Sequence, residues 1–472
     1  MGPKTLKVVG PNKVPPTCRD VVPLVLFLAH VAGVVVLACK YASSVDVHLP
    51  GYMTSVKSGF TDEQVVRLGF VSAGLSFAGA LAIVVIWLAL LFYSAYAMVL
   101  VGQLFLSVML AVSGAMFALA AMDPNTDPVM VSSYWLGAIL SFAGAALVVA
   151  WLFCIRDRIA FTANLLKTVS SDLAKMPELI LMAFVLVGVV GAWAAVWYCA
   201  VIEVNAMLGG DHADGNIYFA NAWLFLTLFW GELVIMNIAF TTTAGAVADS
   251  YFSPADVTSE GVLCCRPAAW SALRRACTTS LGSIAFGSLI VAIIKTLKTL
   301  ARQVQRETDN SALKLVFCCL ACILDCIERF FQWLTEWAFV YAAIYGTGFV
   351  ESGTRVFELL SHSGIGAVTT TVLVDPVLSL ASVVGLGCGL GLGYAAVLVT
   401  QVYAHAFGCV VGGLVGFAVV SVGLSPVYAG CKSLFVCIAE EPDVLAQRAP
   451  ELHGKIREMA PMTDSAASLA RP

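Results

Sequence analysis

The sequence predicts an all-α, polytopic transmembrane helical bundle of about ten spans with amphipathic helices on its cytoplasmic face, and three observations carry that prediction. The 472 residues are 60% hydrophobic and only 12% charged, with mean hydropathy +0.90, where ordinary soluble domains carry about 25% charge. A water-soluble surface cannot be built from such a composition. Apolar runs of about 20 residues, the length that crosses about 30 Å of hydrocarbon, recur along most of the chain. Lys and Arg collect in alternate loops, as cytoplasmic loops retain them. Net charge is −4 and the pI about 5.9, so a nucleic-acid partner is not expected. The partner that composition implies is the lipid bilayer.

The elements follow in order. Residues 1–20, MGPKTLKVVGPNKVPPTCRD, form a cytoplasmic segment with Lys4, Lys7, Lys13 and Arg19. Apolar spans are expected at 21–39, 68–94, 96–122, 132–154, 179–202, 217–248, 280–301, 331–358, 377–402 and 405–438, a transmembrane domain of residues 21–438. No small-residue cleavage site closes the first run, so it reads as a retained span. The stretch RDRIAFTANLLKTVSSDLAKMPEL, with apolar residues at helical spacing and basic residues between them, predicts an inner-leaflet helix over about 156–176. Residues 439–472 read as a cytoplasmic tail. Basic residues mark the N-terminal segment, the loop after the fourth span (Arg156, Arg158, Lys167, Lys175) and that after the sixth (Arg266, Arg274, Arg275). The alternate loops carry Asp123 and Asp127, or Glu203, Asp211 and Asp214, without Lys or Arg. Both termini are therefore expected in the cytoplasm. One region resists the scheme. A full crossing at 280–301 puts Lys298, Arg302, Arg306 and Lys314 outside, so a broken or re-entrant course, interrupted at Gly282, Ser283, Gly287 and Ser288, is the alternative.

Four stretches together resemble the choline transporter-like family of plasma-membrane proteins: FWGELVIMNIAFTTTAGAVADSYF (229–252), LRRACTTSLGSIAFGSLIVAIIKTLK (273–298), CCLACILDCIERFFQWLTEWAFVYAAIYGTGFVESG (318–353) and LFVCIAEEPDVLAQRAPELHGKIREM (434–459). The resemblance implies a multi-span plasma-membrane transporter of a small cationic amine, choline and in some cases ethanolamine. The chain departs from the family pattern at Phe240, where the family often has His. It departs also at Thr335 and Glu336, where Asn-Arg is common, and at Tyr428 and Lys432, where acidic residues are frequent.

A charged side chain at bilayer depth costs at least about 2.5–3.5 kcal/mol, so each one is a functional candidate. Glu232 and Asn237 interrupt the sixth span beside Trp223 and Trp230, and spacing of about one to two turns puts Trp230, Asn237 and, less closely, Glu232 within reach of a common lumen. Ordinary helix-orienting pairs are the competing reading. A quaternary ammonium donates no hydrogen bond and is recognised by aromatic faces and a carboxylate. Trp333, Trp337, Tyr341 and Tyr345 recur at intervals of four, followed beyond Gly346 and Gly348 by Glu351. An interfacial aromatic belt or plain packing explains the same rings as well. The candidate substrate residues are thus Trp230, Glu232, Asn237, Trp337, Tyr341, Tyr345 and Glu351.

Other motifs carry less. GLGCGLGLG (385–393) lacks the strand and acidic partner of a dinucleotide site and reads as close helix packing. CCLACILDC (318–326) lacks the second pair that zinc needs, leaving acylation as its alternative. No nucleophile elbow, HExxH or P-loop occurs. No cofactor, metal or enzymatic activity is expected. The function predicted is transport of choline or a related small organic cation by alternating access. A channel-like pathway and a non-transporting scaffold or lipid-organising protein are the rival readings.

Overall fold

A computed structural model describes residues 18–44, 62–124, 126, 128–154, 156–208, 216–252, 267–308, 310–363, 365–441 and 444. The N-terminal lysines, Asp127, Asp211, Asp214, Arg266, Cys264, Cys265 and the tail beyond 444 lie outside them. The helices are α1 (Val21–Ser44), α2 (Asp62–Met122), α3 (Pro128–Cys154), α4 (Arg156–Ala174), α5 (Glu178–Leu208), α6 (Asn216–Phe252), α7 (Pro267–Cys277), α8 (Leu281–Glu307), α9 (Ser311–Tyr345), α10 (Phe349–Ser363), α11 (Ile365–Thr400) and α12 (His405–Glu440). No strand occurs among the described residues. Helices are the expected solution where no water satisfies backbone polar groups.

Eight helices, α1, α2, α3, α5, α6, α8, α11 and α12, are long and apolar enough to cross a membrane. Their outer faces carry what a soluble protein would bury: Val22, Phe70, Leu147 and Phe153 are 70–77% exposed. At about 1.5 Å per residue, the 61 residues of α2 are far too long for one crossing. The helix is interrupted at Ser94, whose φ of −136° and ψ of 34° leave helical geometry, which separates the two spans the sequence placed there. α9, which carries charges within a long helix, is not one of the eight, so with α2 counted as two spans nine of the expected ten crossings have counterparts among the described residues. The bundle is all-α and polytopic.

Two expectations change. The eighth span does not run over 331–358: α9 begins twenty residues earlier in the chain, at Ser311, and stops at Tyr345. Asn310 caps its start, accepting from the N–H groups of Ala312 at 2.9 Å and Leu313 at 3.5 Å. Gly346, at φ 66°, ends it and bonds back to Ala342 O, the left-handed turn that glycine adopts without strain. The chain restarts as α10. The alternative of a break in 280–301 also fails: α8 runs unbroken through its small residues. These let neighbours approach instead. Phe339 and Phe349 press on Gly287, and the backbone at Arg19 and Asp20 presses on Gly282. Nor are the misplaced cations of α8 isolated. Lys298 pairs with Asp325 at 3.1 Å and with Glu328, Arg302 reaches Asp325 at 3.8 Å, and Arg329 approaches it at 2.9 Å. Two acids of α9 offset the charge that the topology rule disfavours.

The chain forms two compact units. One comprises α1, α5 to α9, nearly all of α10, and α12 from Lys432 onward. Its core gathers Trp230, Leu233 and Val234 of α6, Ile284, Ala285, Val291 and Ala292 of α8, and Phe339 of α9. The other comprises α2, α3, α4, α11 and α12 up to Cys431. There α2 packs on α11, where Gln103 donates to Val372 O at 2.9 Å, and on α3, where Ser107 donates to Ala145 O at 3.1 Å. The predicted amphipathic helix is α4. Its apolar face, with Leu165, Leu166, Val169 and Leu173 fully buried, rests on α2 and α11, and Lys167 lies 5.7 Å from the Phe92 ring centre.

Candidate functional site

The site builds up from α6 in the first unit. Trp230 is buried and its indole N–H donates to Ala285 O of α8 at 2.9 Å. That bond satisfies the ring's one polar atom and fixes its orientation. Its π surface then meets α1: the Phe27 ring lies 5.2 Å away and the His30 ring 5.3 Å. His30 in turn stands 5.0 Å from Trp223. From α5, Trp193 closes the group. Its indole occupies the space a side chain at position 231 would need, so only glycine fits there, and its N–H donates to Leu228 O at 3.3 Å. A small void remains among Phe27, His30, Val31, Trp193, Thr227 and Trp230. Four of its six lining residues carry rings, and the buried Nε2 of His30 has no hydrogen-bond partner among the described residues.

One turn or two further along α6, Asn237 donates to Ser288 Oγ of α8 at 2.9 Å. This is the helix-to-helix bond that a polar group in the membrane is expected to find. Glu232 is half-buried on the same helix.

A second aromatic group lies on α9. The intervals of four do align the rings: Trp333 and Trp337 meet at 6.3 Å, Tyr341 and Tyr345 at 4.5 Å. Trp337 is fully buried, edge-on to Phe435 of α12 at 5.7 Å. Its face carries a cation already, because the Lys432 ammonium sits 5.2 Å from the ring centre and is paired with Glu336. Lys432 is 3% and Glu336 14% exposed, so the pair is an interior one. Two of the positions at which the chain departs from the family pattern, 336 and 432, therefore face each other. An arginine at 336 with an acid at 432 would set the same pair with its charges exchanged. Glu351, in the first turn of α10, is exposed. No ring contact among the described residues joins Trp230 to Trp337, Tyr341 or Tyr345.

Sequence reasoning passed over Phe27, His30 and Trp193. His30 had a usable signal, as a titratable residue inside an apolar run. Phe27 and Trp193 had none, since a ring among apolar residues marks nothing until its neighbours are known. It also passed over Asp249, which Arg275 of α7 reaches at 2.7 Å, holding α7 on the end of α6.

Apolar outer faces, long spans and interior charges held in pairs define an integral multi-pass membrane protein. Residues 139–443 match the plasma-membrane choline transporter family, and the chain belongs to that family, which is one of membrane transporters. Similar proteins include a CTL-like protein of Dictyostelium discoideum, 30% identical over 68% of this chain and 56% of its own length. The protein PNS1 of Gibberella zeae is 25% identical over 70% of this chain and 63% of its own. The protein PNS1 of Cryptococcus neoformans var. neoformans is 27% identical over 97% and 84%. The chain thus spans less than two thirds of the first two relatives and most of the third.

Proposed function

We propose that this protein carries choline, or a related small organic cation such as ethanolamine, across the plasma membrane by alternating access, with both termini in the cytoplasm. The observation that carries the reading is the ring-walled void at Trp230. A quaternary ammonium has no N–H to donate, so it is held by π faces in a site that excludes water, where each such contact is worth about 2 kcal/mol or more. Phe27, Trp193 and Trp230 line the void with their rings, and Trp223 stands behind His30. Asn237 keeps α6 and α8 in register beside them. Tyr341, Tyr345 and Glu351 would form a second aromatic and acidic station, with Trp337 behind it already held by the Lys432 ammonium, and Glu232 would supply negative charge along α6. In the described conformation the void is too small for an amine, so binding requires the helices around it to part. A channel would need a continuous opening at the same place.

Labelled choline uptake into vesicles reconstituted with the full chain tests the reading. Trp230→Ala is expected to raise the half-saturation concentration about thirtyfold, the equivalent of ~2 kcal/mol of lost cation–π contact. Trp230→Phe keeps a π face and should lose far less. Uptake no greater than in protein-free vesicles, for choline and for a panel of primary and quaternary amines, would leave the scaffold reading.

A further inference from the structure

Asp20 lies where the starts of several helices meet. It immediately precedes α1 and holds a φ of 51°, a conformation uncommon for a residue with a Cβ. Its carboxylate accepts from Ser283 Oγ, in the first turn of α8, at 2.6 Å. It also accepts from the backbone N–H of Phe349, the first residue of α10, at 2.7 Å. Its carbonyl accepts the N–H of Leu24 in α1 at 3.3 Å. The first turns of helices present unpaired N–H groups and the positive end of the dipole, so the carboxylate satisfies one such group at the start of α10 and is held beside the start of α8 by the Ser283 hydroxyl. The fit leaves no slack. A Cβ at Gly282 would collide with the carbonyls of Arg19 and Asp20, and one at Gly348 would lie 3.4 Å from the Asp20 carboxylate. The residues before Asp20 are docked too: the Arg19 N–H reaches Thr279 O at 3.4 Å and the Cys18 thiol reaches Thr278 O at 3.5 Å. All of this adjoins the break at Gly346, which separates α9 from α10.

We infer that Asp20 is the positioning residue of a clasp that gathers the first turns of α1, α8 and α10 at the inner end of the bundle, and that the clasp opens once in each transport cycle. This rests on the transport reading above. Discrete contacts that are either made or broken convert a local change into gating, and such openings commonly limit turnover.

The test uses the full chain in vesicles. In a Cys277→Ser background, Thr278→Cys is placed beside the native Cys18, and a short bifunctional thiosulfonate joins the two thiols, the linkage being verified by mass spectrometry. Uptake of labelled choline is expected to fall about tenfold or more once the link forms and to return with dithiothreitol, while the unlinked variant stays within about twofold of the parent. Asp20→Asn keeps the shape and removes the charge. Per molecule of folded protein, counted by size-exclusion chromatography, it is expected to lower the maximal rate about tenfold with the half-saturation concentration within about twofold, so that the loss lies in turnover and not in binding. Should that variant fail to fold, the linked protein decides the matter, because it retains Asp20. Full uptake by a fully linked carrier overturns the clasp and leaves transport standing. Absence of uptake by the unlinked parent is a failure of the transport reading and removes the clasp with it.

Discussion

Lys432→Met is expected to destabilise the protein by about 3–5 kcal/mol, the usual cost of removing one partner from a buried ion pair. The loss is large because the pair is interior, Glu336 being 14% exposed, and a carboxylate there that loses its ammonium counter-charge must bear more of its desolvation cost or become protonated. Glu336→Gln should also destabilise the protein, since it removes the charge that pairs with the Lys432 ammonium. The double variant should recover most of the loss, because two neutral groups of similar volume ask for no counter-charge. Glu336→Arg with Lys432→Asp should recover it as well. That exchange restores the order of charges that the family resemblance implies for these positions. Thermal unfolding in detergent, followed by size-exclusion fluorescence, reads all five proteins. Additive losses in the double variant would show that the two groups are energetically independent, and the interior pair would then be no more than a contact.

The same residues show how far the sequence could be read. Glu336 and Lys432 stood out as departures, but they lie ninety-six positions apart in the chain, and only the packing of α12 on α9 makes them a single feature. The spans were legible because lipid imposes one length and one backbone solution on every crossing. The charges of α8 misled for a related reason: Lys298 and Arg302 violate the topology rule when counted alone, and their partners Asp325 and Glu328 were read as part of a different segment. Small residues were ambiguous in principle. Gly346 breaks a helix and Gly287 lets two phenylalanines approach one, and nothing local separates these uses. Trp230 was found because it neighbours Glu232 and Asn237. Its companions Phe27 and His30 were not, since they belong to a helix almost two hundred residues away in sequence.

The second large effect is expected in the other unit, at the glycines of α11 and α12. Gly385, Gly389 and Gly393 recur every fourth residue on α11 and face Gly416, Gly412 and Gly408 of α12. Each pair meets backbone to backbone. A Cβ on Gly389 or Gly393 would collide with the carbonyl of Gly412 or Gly408, and one on Gly412 would collide with that of Gly389. The obstacles are main-chain atoms of rigid helices, which cannot swing aside as a side-chain end could. Two serines of α2 depend on the same seam: Ser72 donates to Gly408 O at 2.7 Å and Ser76 to Gly389 O at 3.3 Å. Spreading the helices would therefore break hydrogen bonds in a medium with few alternatives. Gly412→Val should cost about 3 kcal/mol, at the upper end of overpacking penalties, and reduce the yield of folded protein. Gly387 and Gly391 lie between the seam positions and have nothing within 4 Å of a would-be Cβ. Alanine there should change stability by less than about 0.5 kcal/mol, or raise it slightly, because alanine favours the helix. Equal melting temperatures for Gly412→Val and Gly391→Ala would mean that the seam does not hold these two helices together.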